Sequence, residues 1–421
     1  MKKFKKTSLS IVSVILTFGV LQSITFAQGS SQGGFVLEEA TVDSIHEAFA
    51  KKQISCTQLV QGYLDRIEAY DKKGPALHSI ITVNKDALKV AAELDRQYKY
   101  NPGGVGSLHC IPVILKDNFN TYDMPTTGGN VAMKNSIPSE DAFTVKKLRE
   151  AGAIILAKSN MQEFARGGVS VSSLGGQVLN PYNLKLTAGG SSGGTGAAIA
   201  ANFGVLGTGS DTGQSIRSPA SANNLVGVRP TRGLISRSGI MPNSYTQDEI
   251  GPITRTVKDA ALMLDVMAGY DPKDPITAFS VGRTPESYAD SLRADALRGA
   301  RIGVMLNMFG KEERHEEVNK VMDNVIKIME ANRATIIPFE LPEYDELSSI
   351  VGTSSWEARD AMEDYFASLP ADAPVKSFEE LVATKSAHPY VQGSLERELA
   401  VEDGLNDPEY KQRTLNRDKL R

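Results

Sequence analysis

Histidine is scarce in this chain and cysteine nearly absent, with five of the first and two of the second in 421 residues. His46, His78, His109, His315 and His388 all stand outside glycine-rich or motif-like surroundings. A reaction that needs a base must therefore look beyond imidazole. Cys56 and Cys110 are far apart and read as separate buried thiols; a bridge between them is the alternative that export permits. No repeat of fixed period is visible. The apolar run at residues 9–21 is about 13 residues long, short of the roughly 20 needed to cross a bilayer as a helix.

That run has a purpose of its own. Lys2, Lys3, Lys5 and Lys6 precede it, and Thr25 and Ala27 follow at the −3 and −1 positions of a cleavage site. This layout is that of a secretory signal over residues 1–27, with an uncleaved anchor as the alternative. No cysteine lies there to carry a lipid. Removing the segment takes away four lysines and no acids, so the formal charge moves from −4 to −8. An acidic exported protein without a basic cluster is ill suited to nucleic acid or to an anionic membrane, and no stable membrane insertion is expected. Residues 28–34 read as a Gly/Ser/Gln linker, and residues 35–421 as one large domain.

Apolar periodicity predicts a helix over 41–69, capped by Thr41 or Asp43, with Leu59, Tyr63 and Ile67 on one face. A β-branched run at 80–83 follows, then a helix at 87–98 and a turn at 101–106. Residues 111–115 read as a buried strand ending on Lys116. A helix at 143–150 and a strand at 153–157 continue the alternation, which favours an α/β fold with a mixed or largely parallel sheet. Residues 167–239 are rich in Gly and Ser, yet apolar blocks at 197–205 and 225–228 argue for turns inside a core. Strands at 301–306 and 335–339 flank a helix at 316–332. Beyond 339 the chain turns helical and polar.

Three segments carry the chemistry: IPVILKDN with Lys116, AGGSSGGTGAA with Ser191 and Ser192, and GTGSDTGQSIRSPA with Ser215. A serine nucleophile needs a base and backbone donors facing the developing oxyanion. A lysine serves as base when burial brings its pKa down from about 10.4 towards neutrality. Lys116 suits that role; it equally suits an ordinary strand-end lysine paired to Asp117. The N–H groups of Thr212, Gly213, Gln214 and Ser215 precede a helix and can converge on one oxygen. Each serine taken alone is also an N-cap or turn residue. Ser191 and Ser215, 24 residues apart, both sit in glycine-rich turns downstream of a buried lysine, and together they are harder to dismiss.

On these motifs the chain resembles the amidase signature family, from about Val36 to Gly310, with its core in the Gly/Ser-rich stretch 189–231 that ends in NNLVGVRPT. The resemblance implies an α/β amidase signature fold, with a large mixed central sheet covered by helices on both faces. It implies a Ser–cis-Ser–Lys triad in which Ser215 is the acyl-forming nucleophile, Ser191 the bridging serine on a cis peptide and Lys116 the terminal base. Asp211 and Arg217 are expected to pair and fix the nucleophile loop, with Ser192 and Gln177 in support. No cofactor or metal is implied. The expected substrate is a small-molecule or peptide amide.

Two departures stand out. Gln214 replaces the glycine often found before the nucleophile, and against the family pattern the chain is expected to lack the usual C-terminal portion of the fold. The second departure makes a catalytically silent or truncated amidase-like binding protein the main alternative. An α/β-hydrolase elbow at 190–194, with Ser192 as nucleophile, requires a later histidine, and only His315 and His388 qualify. The Gly-rich loops lack the G-K-[ST] of a phosphate site. An amidotransferase component that works on aminoacyl-tRNA shares the fold but fits poorly with an export signal and an acidic balance.

Overall fold

The computed structural model describes residues 34–342 and 344–419, so the expected signal and all but the last residue of the linker lie outside the described residues. The strands used below are β1 (Ile80–Val83), β2 (Pro112–Lys116), β3 (Ile154–Ser159), β4 (Leu206–Asp211), β5 (Val226–Gly227), β6 (Glu249–Thr254), β7 (Arg301–Met305) and β8 (Thr335–Phe339). The first six form one sheet in the order β1–β3–β2–β4–β6–β5. Its centre, β3–β2–β4, is parallel, while β1, β6 and β5 pair antiparallel. The sheet is mixed, as expected.

Every residue of β2, β3, β4 and β6 is buried. Successive side chains of a strand point to opposite faces, so both faces of this sheet are covered. Helix α1 (Val42–Ala50) begins the domain, followed by α2 (Cys56–Arg66), α3 (Ala87–Tyr100), α4 (Phe143–Glu150), α5 (Gly193–Ala200), α6 (Arg217–Ala222) and α7 (Val257–Met267). Helix α5 lies on β2 and β4, α3 and α4 on β3, and α7 on β6. The close seat of α5 depends on glycine in β4: a Cβ on Gly207 would stand 2.4 Å from Thr195 Cγ2.

The helix expected over 41–69 is in fact two. Thr41 caps the first by accepting from Ser44 N, and Ser55 caps the second by accepting from Gln58 N. Between them Lys52 adopts φ +56°, which no helix accommodates. The second difference concerns the cysteines. Cys56, at the start of α2, and Cys110, two residues before β2, form a disulfide with Cα atoms 5.6 Å apart. Sequence separation hid this proximity: the strand–helix crossover returns the chain over 54 residues to the same spot.

Past residue 300, β7 and β8 form a separate parallel pair with α8 (Glu316–Ala331) against β8. No residue of α8 is buried, and Val318, Val321, Met322 and Ile328 are exposed. A helical cap follows: α9 (Ser354–Ala367), α10 (Phe378–Ala383) and α11 (Pro389–Leu399) build a second apolar cluster with Met133, Phe164 and Met241 of the sheet domain. No helix of the described residues is long and apolar enough to cross a membrane.

Candidate active site

Lys116, the last residue of β2, is wholly buried. Its Nζ lies 2.7 Å from Ser191 Oγ, 2.8 Å from Ser210 Oγ and 3.3 Å from the Ser210 carbonyl oxygen. Asp117 points the other way, as alternation along a strand requires, and pairs with the buried Lys158 at 3.2 Å. Lys116 is thus left among hydroxyls with no carboxylate partner. Burial pushes its pKa down to about 7, against the pull of the Asp211 and Asp248 charges.

Ser191 follows a cis peptide bond from Gly190. Gln162 N donates to its carbonyl oxygen at 2.9 Å, and Ser170 Oγ reaches the Gly189 carbonyl at 2.8 Å while accepting from Gly193 N at 2.9 Å. Gln177 stands one step further back, where its Nε2 donates to the carbonyls of Val169 at 2.6 Å and Val178 at 3.0 Å. It holds the backbone that presents Ser170. Ser192 donates from Oγ to the Ser210 carbonyl at 3.3 Å and from its N–H to the Ser215 carbonyl, also at 3.3 Å.

Ser215 sits on the loop between β4 and α6 and is only 6% exposed. The loop is fastened at both ends. Asp211 accepts from Ile216 N at 2.9 Å, from Arg217 Nε at 3.2 Å and from Arg229 Nη1 at 2.7 Å. Burial alone would raise the Asp211 pKa, but these donors and the two guanidinium charges hold it below the usual carboxylate range. The Asp211–Arg217 pair expected from the sequence is therefore present, with Arg229 as a third member. Thr212 Oγ1 donates to Asp248 at 2.6 Å, and Asp248 also accepts from Asn243 N and Ser244 N. Between these anchors the N–H groups of Gly213, Gln214 and Ser215 find no acceptor among the described residues.

The structure thus brings Ser191 and Lys116 into hydrogen-bond contact and ties the Ser215 backbone to the neighbouring Ser192. Ser215 Oγ itself bonds to no described residue. His388 accepts from Tyr390 N, and His315 lies in the β7–α8 connection, so neither histidine meets Ser192 as the elbow reading requires. Among the described residues no group of three His, Cys, Asp or Glu is placed to hold a metal. Sequence reading missed Ser210, Asn118, Arg229, Asp248 and Ser170. Asn118 lies two residues past Lys116 and donates from Nδ2 to Ser210 Oγ at 3.1 Å, so the KDN run carried a signal for it.

Known proteins resemble this chain over most of its length. A family model described as Amidase matches residues 58–420. The peptide amidase of Stenotrophomonas maltophilia superposes with a TM-score of 0.83 at 36% identity, covering 91% of this chain and 80% of that one. A probable amidase of Arabidopsis thaliana is 36% identical over 89% of this chain and 74% of its own length. A glutamyl-tRNA(Gln) amidotransferase component of Thermosynechococcus vestitus is 38% identical over 72% of this chain, and the match spans 62% of that protein's length.

Proposed function

The chain belongs to the amidase signature family, and from that premise we propose that it hydrolyses the C–N bond of a carboxamide through Ser215, Ser191 and Lys116. One observation carries the reading: a fully buried lysine whose amine meets a serine hydroxyl at 2.7 Å and no carboxylate. A neutral amine has two hydrogens and one lone pair. Two donations to Ser210 leave the lone pair for the Ser191 hydroxyl, which in turn is free to take the proton of Ser215.

Attack of Ser215 Oγ on the carbonyl carbon forms a tetrahedral oxyanion. The N–H groups of the loop 212–215 supply donors for it without reorganisation. As the C–N bond breaks, the proton held by Lys116 passes back through Ser191 to the leaving amine. Water then attacks the acyl-enzyme by the same route. Asp211, Arg217 and Arg229 hold the loop, and Ser192 and Gln177 support the two serines without entering the reaction.

The silent-binding alternative finds no support among the relatives. For the site of action we propose export. The N-terminal basic-then-apolar segment supports it, and the Cys56–Cys110 bridge suits an oxidising compartment. The acidic balance speaks for a small or peptide amide in preference to a tRNA-bound one.

The test is covalent labelling with a fluorophosphonate probe. Wild type is expected to label and Ser215→Ala to lose labelling completely. Labelling that survives Ser215→Ala and vanishes with Ser192→Ala would transfer the nucleophile's role to Ser192.

A further inference from the structure

The turn at 243–248 grips the nucleophile loop with its two ends and is itself gripped in the middle. At the ends, Asp248 accepts from Thr212 Oγ1 at 2.6 Å, and Asn243 Nδ2 donates to the same hydroxyl at 3.3 Å. In the middle, each residue from Ser244 to Gln247 bonds to the helical cap. Ser244 Oγ donates to Glu357, and Tyr245 OH to Asp364. Thr246 donates to Glu357 from its N–H at 2.9 Å and from Oγ1 at 2.5 Å. Gln247 Oε1 accepts from Thr353 N at 2.7 Å and from Ser354 N at 3.1 Å, at the start of α9.

Glu357, in the first turn of α9, takes three of these bonds and is wholly buried. Ser244 is the crossing point. Its hydroxyl meets Glu357, while its N–H donates to Asp248 at 2.9 Å. A continuous path therefore runs from Glu357 through Ser244 and Asp248 to Thr212, the first residue of the loop that supplies the oxyanion donors. Water does not replace a partner lost in so buried a place, so each link constrains the next. A shift of Asp248 carries the Thr212 end of the loop with it. Misplacing a reacting arrangement by 1 Å is worth up to about a hundredfold in rate.

We propose that Glu357 is a positioning residue for the reaction, setting the Thr212 end of the oxyanion loop from the helical cap through Ser244 and Asp248. It touches neither substrate nor reacting atoms, and the assignment rests on the amidohydrolase reading above. The test is the rate constant of fluorophosphonate labelling at saturating probe, because the phosphoryl oxygen draws on the same donors. Glu357→Ala should lower that constant about tenfold with the half-saturating probe concentration unchanged. Glu357→Gln, which keeps one acceptor, should lose less. Thr212→Val, which frees the loop from Asp248, should cost about the same tenfold, and adding Glu357→Ala to it should cost nothing further. Ser244→Ala cuts the same path without removing the buried carboxylate, and it takes the place of Glu357→Ala in this cycle if that variant does not fold. A rate left unchanged by Ser244→Ala or Thr212→Val, or losses that multiply in the double variant, would overturn the assignment while wild-type labelling left the amidohydrolase reading standing. A folded wild type that never labels would overturn both.

Discussion

Lys116 works through what is kept away from it. A strand end in a covered sheet removes water, alternation sends Asp117 and its partner Lys158 to the other face, and three polar atoms of Ser191 and Ser210 surround the amine. The proton-accepting form of this group is the neutral one, so its pKa of about 7 sets the sign of the pH response. Amide hydrolysis, followed as kcat/KM, is expected to rise as pH increases through about 7 and to level off above it. A flat profile from pH 5 to 9 would remove Lys116 from the role of base. The three groups of the proposed relay were legible because each sits inside its own ordered motif. Ser210 and Asp248 were not: Ser210 meets Lys116 only once β2 and β4 pair, and Asp248 meets Thr212 only once β4 and β6 pair and bring the turn 243–248 beside it. Ser210 is the plainest case: its neighbours in sequence read as a glycine-rich turn, whereas it is the fifth residue of a buried strand.

Among the elements, β2 and β4 position most of the chemistry, and of the two only β2 was legible as a strand. Short β-branched or apolar runs place β1 and β8 at the ends where the structure has them, and β3 within two residues. What periodicity does not reveal is a break with no Gly or Pro to mark it. Residues 51–54 continue the polar pattern of a helix, and only the capping serine at 55 separates α1 from α2. At this scale the buried Asp117–Lys158 pair is the most exacting feature of the β2–β3 seam. Asp117 also accepts from Thr127 N at 3.2 Å and Gly129 N at 3.3 Å. Burial drives its pKa upward and that of Lys158 downward, each against the attraction of the other. Removing one partner leaves the other charge in a water-free seam. Asp117→Ala is therefore expected to cost about 3–5 kcal/mol in urea unfolding. A loss below about 1 kcal/mol would mean that the pair contributes little beyond a surface bridge.

For the molecule as a whole, the export reading makes a direct prediction. Protein recovered from the oxidising side of a membrane should begin at Gln28, after removal of residues 1–27, as read by N-terminal sequencing or intact mass. Retention of Met1 in that fraction would favour the uncleaved anchor. Whole-molecule organisation was the least legible level. The hydrophobic pattern that correctly marks β7, α8 and β8 gives no sign that they stand apart from the main sheet, because a strand's apolar run reads alike whether it is covered or half open.

The β7–α8–β8 unit has a consequence for how the molecule opens. Local stability follows buried apolar contact, and α8 has no buried residue, whereas β2, β3, β4 and β6 are buried throughout. Amide hydrogens of residues 316–331 should therefore exchange with solvent deuterium well before those of the central strands. Brief trypsin digestion should cut first at the exposed Lys320 and Lys327. The fragment carrying Lys116, Ser191 and Ser215, with the Cys56–Cys110 bridge inside it, would outlast the cut.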